Sequence, residues 1–440
     1  MSCEQREAML RAVSASEVDD LFESIPAGVR LGRPLAIADG LTEMEAAARL
    51  RALADANTPA GRLVSFAGAG CYDHYIPAVV DHVLRKPEFF TAYTPYQPEV
   101  SQGTLQNIYE FQSMICELTG LEVANASMYD GATAFVEGAL MAARVTKRHR
   151  IVVAGTVNPE WRVVLQTYAD AGTLTVDTAP VADGLTTVAS VAAMLDDTTA
   201  AVLVTTPNFL GHLEDLAALA EAAHAAGALL VVGTNPILAG VLEPPAAFGA
   251  DIVVGEGQVL GNAMSLGGPG LGFFSCRMEH LRQMPGRVVG RTVDVDGNMA
   301  FVLTMQTREQ HIRREKATSN ICSNHALNAL AAAVYLSAVG VAGLEGVGLA
   351  CVAKAHYLRD ALVATGKFSA PYTASFANEF ALLYDGDVEA MHATMLQRGY
   401  IAGVDLGLVD PGMDRLVLFA VTEKRTRAEM DAFVREVASL

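Results

Sequence analysis

The chain has 440 residues, of which 51% are hydrophobic and 18% are charged, a composition that excludes intrinsic disorder and predicts a large buried core. Its 49 acidic residues outnumber the 31 basic ones, and the net charge of −18 argues against nucleic acid and anionic membranes as partners. The six cysteines show no C-x-x-C spacing and the first residues form no apolar signal segment, so we expect free thiols, no metal site and a cytoplasmic location. The longest apolar region, 228–254, is broken by polar residues and prolines, so we expect no membrane span.

The amino-terminal residues are predicted to form a helical arm. Thr42 and Glu45 have the spacing of a capping box, which predicts the start of a helix with Leu50 and Leu53 on its apolar face. The composition of this arm indicates packing rather than chemistry.

Residues 89–103 form a loop rich in tyrosine and proline. Proline excludes a regular core element here, and tyrosine combines an apolar ring with a polar tip. On the residues alone, the loop is either a wall of a binding site or a packed crossover between domains.

Asp130 stands at a turn of small residues before a predicted helix at about 132–144. Such a turn commonly holds a phosphate at a helix N-terminus. A carboxylate at this place would itself occupy the positive end of the helix and repel a phosphate. We therefore interpret the segment as a helix that caps itself.

The middle of the chain alternates strands and helices. Its strands are continuous apolar runs without alternation, which is typical of a mostly parallel sheet covered on both faces. We place strands near 151–154, 173–177, 200–204, 228–232, 251–254 and 271–274, and helices at about 104–119, 158–171 and 213–226.

The polar segment 308–325 precedes an apolar helix predicted at about 326–339. Its basic side chains next to Thr318, Ser319 and Asn320 suit either an anion site or a solvated helix face, and the residues do not decide between them. The remaining pattern predicts helix 347–364, strand Glu379–Tyr384, helix 387–397, strand Arg415–Val421 and a last helix capped by Thr426 and Glu429. The predicted organisation is a helical arm at 1–62, a large α/β domain at 63–340 and a small C-terminal α+β domain at 341–440.

The glycine-rich stretch 251–274 organises the large domain. A buried strand ends at Gly255, and turns at the carboxyl ends of such strands are where ligands usually bind. The stretch has no lysine, histidine or cysteine, and we take Gln258 as its long polar side chain at the turn.

Four runs of residues carry a resemblance to a known family. They are 90–103, 123–133, 255–258 and 308–322. These runs resemble the alpha subunit (subunit 1) of glycine dehydrogenase (decarboxylating), which is the P-protein of the glycine cleavage system in its two-chain form. The resemblance covers nearly the whole chain and implies a type I (aspartate-aminotransferase-like) pyridoxal-phosphate fold, in agreement with the large and small domains read above.

The resemblance also implies that the cofactor site of this chain is degenerate. Gln258 stands where the fold has its pyridoxal lysine, and a carboxamide nitrogen cannot form a Schiff base. Asn235 stands where the fold has an aspartate that pairs with the pyridine nitrogen, and Asp130 stands in the phosphate turn. The family therefore implies a partner beta subunit that binds pyridoxal 5'-phosphate covalently, in an α2β2 assembly.

The family implies that this pair decarboxylates glycine, releases CO2 and passes the aminomethyl group to the lipoyl arm of the H-protein. Type I enzymes build each site at a dimer interface, so this chain is expected to line the partner's site rather than to be catalytic by itself. The candidate lining residues are Tyr93, Tyr96, Gln97, Ser101 and Gln102, with Thr318, Ser319 and Asn320 as a second group. Packing of these residues at the interface without contact to substrate stays open as an alternative.

Two other functions compete with this interpretation. The chain could be a self-sufficient pyridoxal enzyme that uses Lys147 or Lys316, although neither follows a predicted strand in a glycine-rich turn. It could also be a non-catalytic regulatory or scaffold subunit whose vacated pocket binds a small effector.

Overall fold

A computed structural model describes residues 1–91 and 93–440, apart from the side chain of Leu266, so Ala92 in the tyrosine loop lies outside the described residues. The chain divides into two compact units, Met1–Pro59 and Ala60–Leu440. The helices are α1 Cys3–Ala12, α2 Glu43–Asp55, α3 Ala78–Leu84, α4 Gln102–Thr119, α5 Gly131–Thr146, α6 Pro159–Asp170, α7 Val188–Ala192, α8 Leu216–Ala225, α9 Gln310–Arg313, α10 Ala326–Ala364, α11 Val388–Gln397 and α12 Arg427–Ala438. The strands are β1 Val64–Ser65, β2 Val123–Ala124, β3 Arg150–Ala154, β4 Thr175–Ala179, β5 Val181–Ala182, β6 Leu185–Thr186, β7 Thr199–Thr206, β8 Leu229–Thr234, β9 Ile252–Glu256, β10 Gly272–Cys276, β11 Val288–Val293, β12 Met299–Thr304, β13 Phe368–Ser369, β14 Glu379–Tyr384, β15 Tyr400–Ile401, β16 Val404–Asp405 and β17 Leu416–Ala420.

The main sheet has the strand order β2-β10-β9-β8-β7-β3-β4. Strands β4, β3, β7, β8 and β9 are parallel, whereas β10 runs antiparallel to both β9 and β2. Every residue of β7 is buried, as expected for a strand covered on both faces. The predicted mostly parallel α/β sheet is confirmed, and each predicted strand overlaps an observed one.

The helix starts follow the capping residues that the sequence predicts. Thr42 and Glu45 form the predicted capping box of α2, and Thr426 and Glu429 form that of α12. Asp130 is the N-cap of α5, where its side chain accepts a hydrogen bond from a backbone N–H of the first turn. The predicted self-capped helix is confirmed.

Helix α10 consists of two helices that meet at a kink at Gly340, which has the non-helical angles φ 60° and ψ −175°. The two helices predicted on either side of this glycine are its two halves. By length and composition α10 could cross a membrane, and 39% of its most apolar window is buried inside the structure. Residues of both halves belong to hydrophobic cores of the second unit, which is the behaviour of a core helix.

The C-terminal part contains a second sheet, β13-β14-β17-β16, covered by α11 and α12. Its core includes Phe419 and Phe433, and Phe66 from the beginning of the second unit packs on Phe433 with ring centroids 4.4 Å apart. Strand β1 also pairs in parallel with β15. The segment near residue 64, which the sequence analysis assigns to the large domain, therefore belongs to the C-terminal core. The domain boundary between residues 340 and 341 stays a prediction.

The hairpin β11–β12 was not predicted from the sequence. Its strands pair from Val288 with Thr304 to Val293 with Met299. The outer residues of β11 are exposed, so the strand lacks the apolar run that marks the sheet strands.

Within Met1–Pro59, all of which the structure describes, neither α1 nor α2 has a buried residue. Leu50 and Leu53 of α2 are 65% and 61% exposed. The predicted helix is confirmed, and the two leucines of its apolar face are exposed.

The six cysteines are free thiols, as predicted. Cys351 lies near His74 and Glu423, with one potential ligand atom of each residue within 4.8 Å of the others. The His74 Nδ1 and Glu423 Oε2 atoms are 2.6 Å apart, which is a hydrogen-bonded pair rather than two ligands of one ion. The expectation of no metal site stays a prediction.

Candidate functional site

A cleft opens at the carboxyl ends of the parallel strands, the place where open α/β sheets bind ligands. The loops after β3, β7, β8 and β9 form its floor. Acidic side chains are the only charged groups among the described residues that line it. The lining consists of Ala69, Gly70, Cys71, Tyr72, Asp130, Ala132, Asn158, Glu160, Trp161, Val164, Thr205, Pro207, Asn208, Phe209, Gly233, Thr234, Asn235, Glu256, Gln258, Val259, Met264, Gly267, Gly268, Pro269, Gly270 and Glu379.

Gln258 lies just beyond the end of β9, at the turn that the sequence predicts. Its side chain is 5% exposed. The Nε2 atom donates to the carbonyl of Asn262 at 2.6 Å, and the Oε1 atom accepts from the backbone N–H of Tyr72 at 3.3 Å. The carboxamide is therefore fixed between two chain segments and supplies no nucleophile.

Asn235 lies at the end of the neighbouring strand β8 and lines the same cleft. Its Oδ1 atom accepts a hydrogen bond from the backbone N–H of Ile237 at 3.0 Å. The side chain is neutral, so it cannot form an ion pair with a protonated ring nitrogen.

Glu256, the last residue of β9, was overlooked in the sequence analysis although it is a long polar side chain of the same turn. Its Oε1 atom accepts from the backbone N–H groups of Leu271 at 2.7 Å and Gln258 at 2.9 Å. Its Oε2 atom accepts from the N–H of Gly131, the first residue of α5, at 2.9 Å. Burial raises the pKa of the Glu256 carboxyl, while these backbone donors act in the opposite direction.

Asp130 stands beside this group and caps the same helix. Its Oδ1 atom accepts from the backbone N–H of Thr133 at 2.7 Å and from the Thr133 hydroxyl at 2.9 Å. Two carboxylates thus take up N–H groups at the N-terminus of α5.

Glu379 closes the cleft from the C-terminal sheet and was also missed. Its carboxyl accepts from the N–H of Ala69 at 2.6 Å and from the hydroxyl of Tyr72 at 2.7 Å. Burial raises the pKa of this carboxyl to about 7, against the lowering effect of the two hydrogen bonds. The sequence places these partners about three hundred positions apart, so no local pattern indicates the contact.

The two segments that carry the predicted lining residues contact each other outside the described lining of the cleft. Tyr96, 39% exposed, accepts a hydrogen bond from Arg287 Nη2 at 2.9 Å and meets the edge of the His311 ring with centroids 5.4 Å apart. Thr94 Oγ1 lies 3.3 Å from Ser323 Oγ. The tyrosine loop and the polar segment 308–325 therefore pack against each other.

Within the tyrosine loop, exposure differs between the predicted residues. Tyr93 is 71% exposed and Gln97 is exposed, whereas Ser101 is half-buried just before α4. Gln102 connects the start of α4 to β12. Its side-chain Nε2 donates to the carbonyl of Phe301 and its Oε1 accepts from the N–H of the same residue, both at 2.9 Å.

Of the second group, Ser319 is anchored inside its own chain. Its hydroxyl donates to Glu137 Oε1 at 2.5 Å. The N–H of Thr318 donates to the carbonyl of Arg308 at 2.9 Å, and Asn320 is exposed. None of the residues in either group is among the described residues that line the cleft.

A buried ion pair that was not predicted holds the polar segment in place. Arg287 Nε lies 3.0 Å from Glu309 Oε2, and these side chains are 5% and 6% exposed. Arg308, which directly precedes Glu309, donates to the backbone carbonyls of Met284 and Gly286. The segment is therefore fixed by its first residues, while Ile312, 54% exposed, faces outward.

The lysines considered as alternative anchors lie away from the cleft. Lys147 follows the last turn of α5 in a left-handed conformation, and Lys316 is exposed in the polar segment. Neither belongs to the described lining.

The sequence matches the family described as "Glycine cleavage system P-protein" over residues 1–437. The chain belongs to this family. It is 49% identical to a Desulforamulus reducens protein over 99% of this chain and 98% of that relative, and 48% identical to a Geobacillus kaustophilus protein over 99% and 97%. Both relatives are named "Probable glycine dehydrogenase (decarboxylating) subunit 1".

Solved structures give the same result. The chain is similar to a crystal structure of glycine decarboxylase (P-protein) of the glycine cleavage system in inhibitor-bound form, with a TM-score of 0.91 and 44% identity over 100% of this chain and 98% of that one. A Lactobacillus brevis glutamate decarboxylase, with a TM-score of 0.69 and 15% identity over 94% and 96% of the two chains, shares the fold alone. The predicted type I pyridoxal-phosphate fold is confirmed.

The cleft of this member does not fit pyridoxal phosphate. A bound cofactor of this fold needs an amine for the Schiff base, an acid for the ring nitrogen and free N–H donors for the phosphate. The described lining contains no lysine, Gln258 and Asn235 after β9 and β8 are neutral carboxamides, and Glu256 and Asp130 accept from the N–H groups of Gly131 and Thr133. The described lining therefore offers no amine for a Schiff base, and two carboxylates compete with a phosphate for N–H donors at the start of α5.

Proposed function

We propose that this chain is the alpha subunit (subunit 1) of glycine decarboxylase, the P-protein of the glycine cleavage system. The relatives named subunit 1 and the similarity to a P-protein crystal structure support the assignment. The observation that carries the division of labour is Gln258, a buried carboxamide at the end of β9 with both of its polar atoms hydrogen-bonded to neighbouring segments.

In this proposal the partner is a beta subunit that binds pyridoxal 5'-phosphate through its own lysine, in an α2β2 assembly. The pair decarboxylates glycine, releases CO2 and passes the aminomethyl group to the lipoyl arm of the H-protein. The cofactor of the beta subunit supplies the electron sink for decarboxylation.

The contribution of this chain is a preformed wall. Tyr93, Gln97 and Asn320 are exposed, and Tyr96 is held by Arg287, whose own position is fixed by Glu309. A polar and aromatic surface held by a buried ion pair needs little reordering when a partner covers it. Gln102 and Ser319, by contrast, use their side chains to hold the wall together from within.

The cofactor assignment is tested by absorbance spectroscopy. This chain and the beta subunit are purified separately, mixed, and supplied with pyridoxal phosphate. We expect an internal-aldimine band only when the beta subunit is present, bleached by glycine and fixed on a beta-subunit lysine by borohydride. A band in this chain alone would overturn the assignment, and the reduced lysine would then be mapped.

The wall is tested with Tyr96→Phe, which removes the hydroxyl that accepts from Arg287. In the reconstituted pair we expect kcat to fall about tenfold, which corresponds to ~1.4 kcal/mol, while the two subunits still associate. The matched control is Tyr384→Phe, which removes a hydroxyl in the C-terminal sheet where the ring packs on Phe368. Equal activity of both variants and the unmodified pair would indicate a scaffold subunit instead.

A further inference from the structure

The N-terminus of α5 is an anion-binding place, and it is already occupied. Helix α5 has 16 residues, and its first N–H groups lie at the positive end of the helix dipole. The N–H of Gly131 points to Glu256 Oε2 at 2.9 Å. Two further N–H groups, from Leu271 and Gln258, converge on the other oxygen of the same carboxylate at 2.7 and 2.9 Å. Three backbone donors around one anion are the usual arrangement for a bound phosphate or carboxylate.

The space around this carboxylate is closely filled. A Cβ atom on Gly270 would come within 2.9 Å of Glu256 Oε2, and one on Gly131 would lie 3.0 Å from the Cβ atom of Glu256 and collide with the ring of Trp161. A side chain at either position would displace Glu256 or Trp161 from the places they occupy. The local backbone is thus shaped around the Glu256 side chain.

The charge around this place opposes a second anion. Asp130 caps the same helix, and its charge adds to burial, the main cause, in raising the pKa of the Glu256 carboxyl. Glu160 and Glu379 also line the cleft, and acidic side chains are the only charged groups among its described lining residues. A phosphate dianion entering here would lose its donors to Glu256 and would face several carboxylates.

We propose that Glu256 is an internal anion that fills the phosphate place of this cleft and excludes anionic cofactors from it. The proposal deepens the proposed function, because it rests on the assignment of this cleft as the degenerate cofactor site of the alpha subunit. The cofactor site has then degenerated in two ways, through the missing lysine at position 258 and through the occupied phosphate place. A chain with lysine restored at that position still lacks a place for the phosphate.

The test uses the fluorescence of Trp161, which is the single tryptophan of the chain and lines the cleft beside Gly131. The full chain is titrated with inorganic phosphate and, separately, with pyridoxal phosphate. The variants are Glu256→Ala and Glu256→Ala combined with Asp130→Ala, which removes both side chains that accept from the N–H groups at the start of α5. The control is Glu160→Gln, which removes one negative charge from the same cleft but leaves the N–H groups of Gly131, Leu271 and Gln258 bound to Glu256.

We expect the double variant to bind inorganic phosphate at least tenfold more tightly than the unmodified chain, and the Glu160→Gln control to bind no more tightly than the unmodified chain. Equal affinity of the unmodified chain and the double variant would overturn the proposal, and so would equal affinity of the double variant and the control. Far-UV circular dichroism establishes that each variant is folded.

A second measurement does not use the Asp130 substitution. Gln258→Lys alone is expected to give no internal-aldimine band at pyridoxal phosphate concentrations where Gln258→Lys combined with Glu256→Ala gives one. A band of equal size in the single variant would refute the role of Glu256. Both experiments use this chain without the beta subunit, so their failure is distinct from a failure of the reconstituted pair to decarboxylate glycine.

Discussion

Substitution of Glu379 by glutamine gives the sharpest test of the electrostatics of the cleft. The carboxyl is buried, and burial raises its pKa from 4.5 to about 7 in the folded chain. Glutamine is nearly isosteric: its oxygen can accept from the N–H of Ala69, and its NH2 group can donate to the oxygen of Tyr72. The variant therefore removes the titration while keeping the contacts.

The size of the effect follows from linkage. Because one pH unit corresponds to about 1.4 kcal/mol, the difference between 4.5 and about 7 corresponds to about 3 kcal/mol. The pKa is raised on folding, so the stabilisation is complete below the unfolded-state pKa and is lost as the pH rises through the folded-state pKa. Roughly 2 kcal/mol of this loss falls between about pH 5.5 and pH 8.

The assay is urea unfolding followed by far-UV circular dichroism at several pH values. We expect the free energy of unfolding of the unmodified chain to fall, relative to Glu379→Gln, by about 2 kcal/mol across this interval. Glu389→Gln, at an exposed position on α11, is the control and is expected to leave the pH dependence unchanged. A constant difference between the unmodified chain and Glu379→Gln at all pH values would show that the folded carboxyl ionises in its ordinary range, and the reasoning would fail.

Two further substitutions test the packing, each by thermal unfolding. Gly211→Ala is expected to cost more than ~3 kcal/mol, because Gly211 has φ +87° and its Cβ atom would collide with the backbone carbonyl of Glu379. Gly172→Ala is its control, with φ +85° and nothing within 4 Å, and is expected to cost only about 1 kcal/mol; equal losses would contradict the steric argument. Phe433→Ala is expected to lose about 3–5 kcal/mol, because its ring is fully buried against Phe66, and a loss below about 1 kcal/mol would show that the core refills the space.

Most of the fold could be predicted because its signals are local. Strands β7, β8 and β9 are continuous apolar runs that end at polar or glycine residues, and the caps of α2, α5 and α12 lie within three residues of the N–H groups they bind. The β11–β12 hairpin was missed because polar residues at the exposed positions of β11 interrupt its apolar run. Pairing of β1 with β15 has no sequence signal, since it depends on where the rest of the chain brings two short segments.

The candidate site could be predicted only in part, for the same reason. Gln258 was found because it follows a strand in a glycine-rich turn, and Asn235 was named through the resemblance to the type I fold. The roles of Glu256 and Glu379 depend on N–H groups 125 and 310 positions away, and such contacts have no periodicity to reveal them. For Gln102 the residue type suggested binding chemistry, whereas its amide is committed to the backbone of Phe301.

The pairing of β1 with β15 has a consequence for synthesis of the chain. Val64 pairs with Tyr400, and Phe66 packs on Phe433, so the C-terminal core uses residues from both ends of the second unit. At roughly 5–20 residues per second, a ribosome needs tens of seconds to deliver the second half of this contact after the first has emerged. During that time Phe66 has no partner from the C-terminal sheet. The nascent chain therefore carries an unfinished core until Phe433 has been synthesised, and a truncation that removes α12 leaves Phe66 without this aromatic partner.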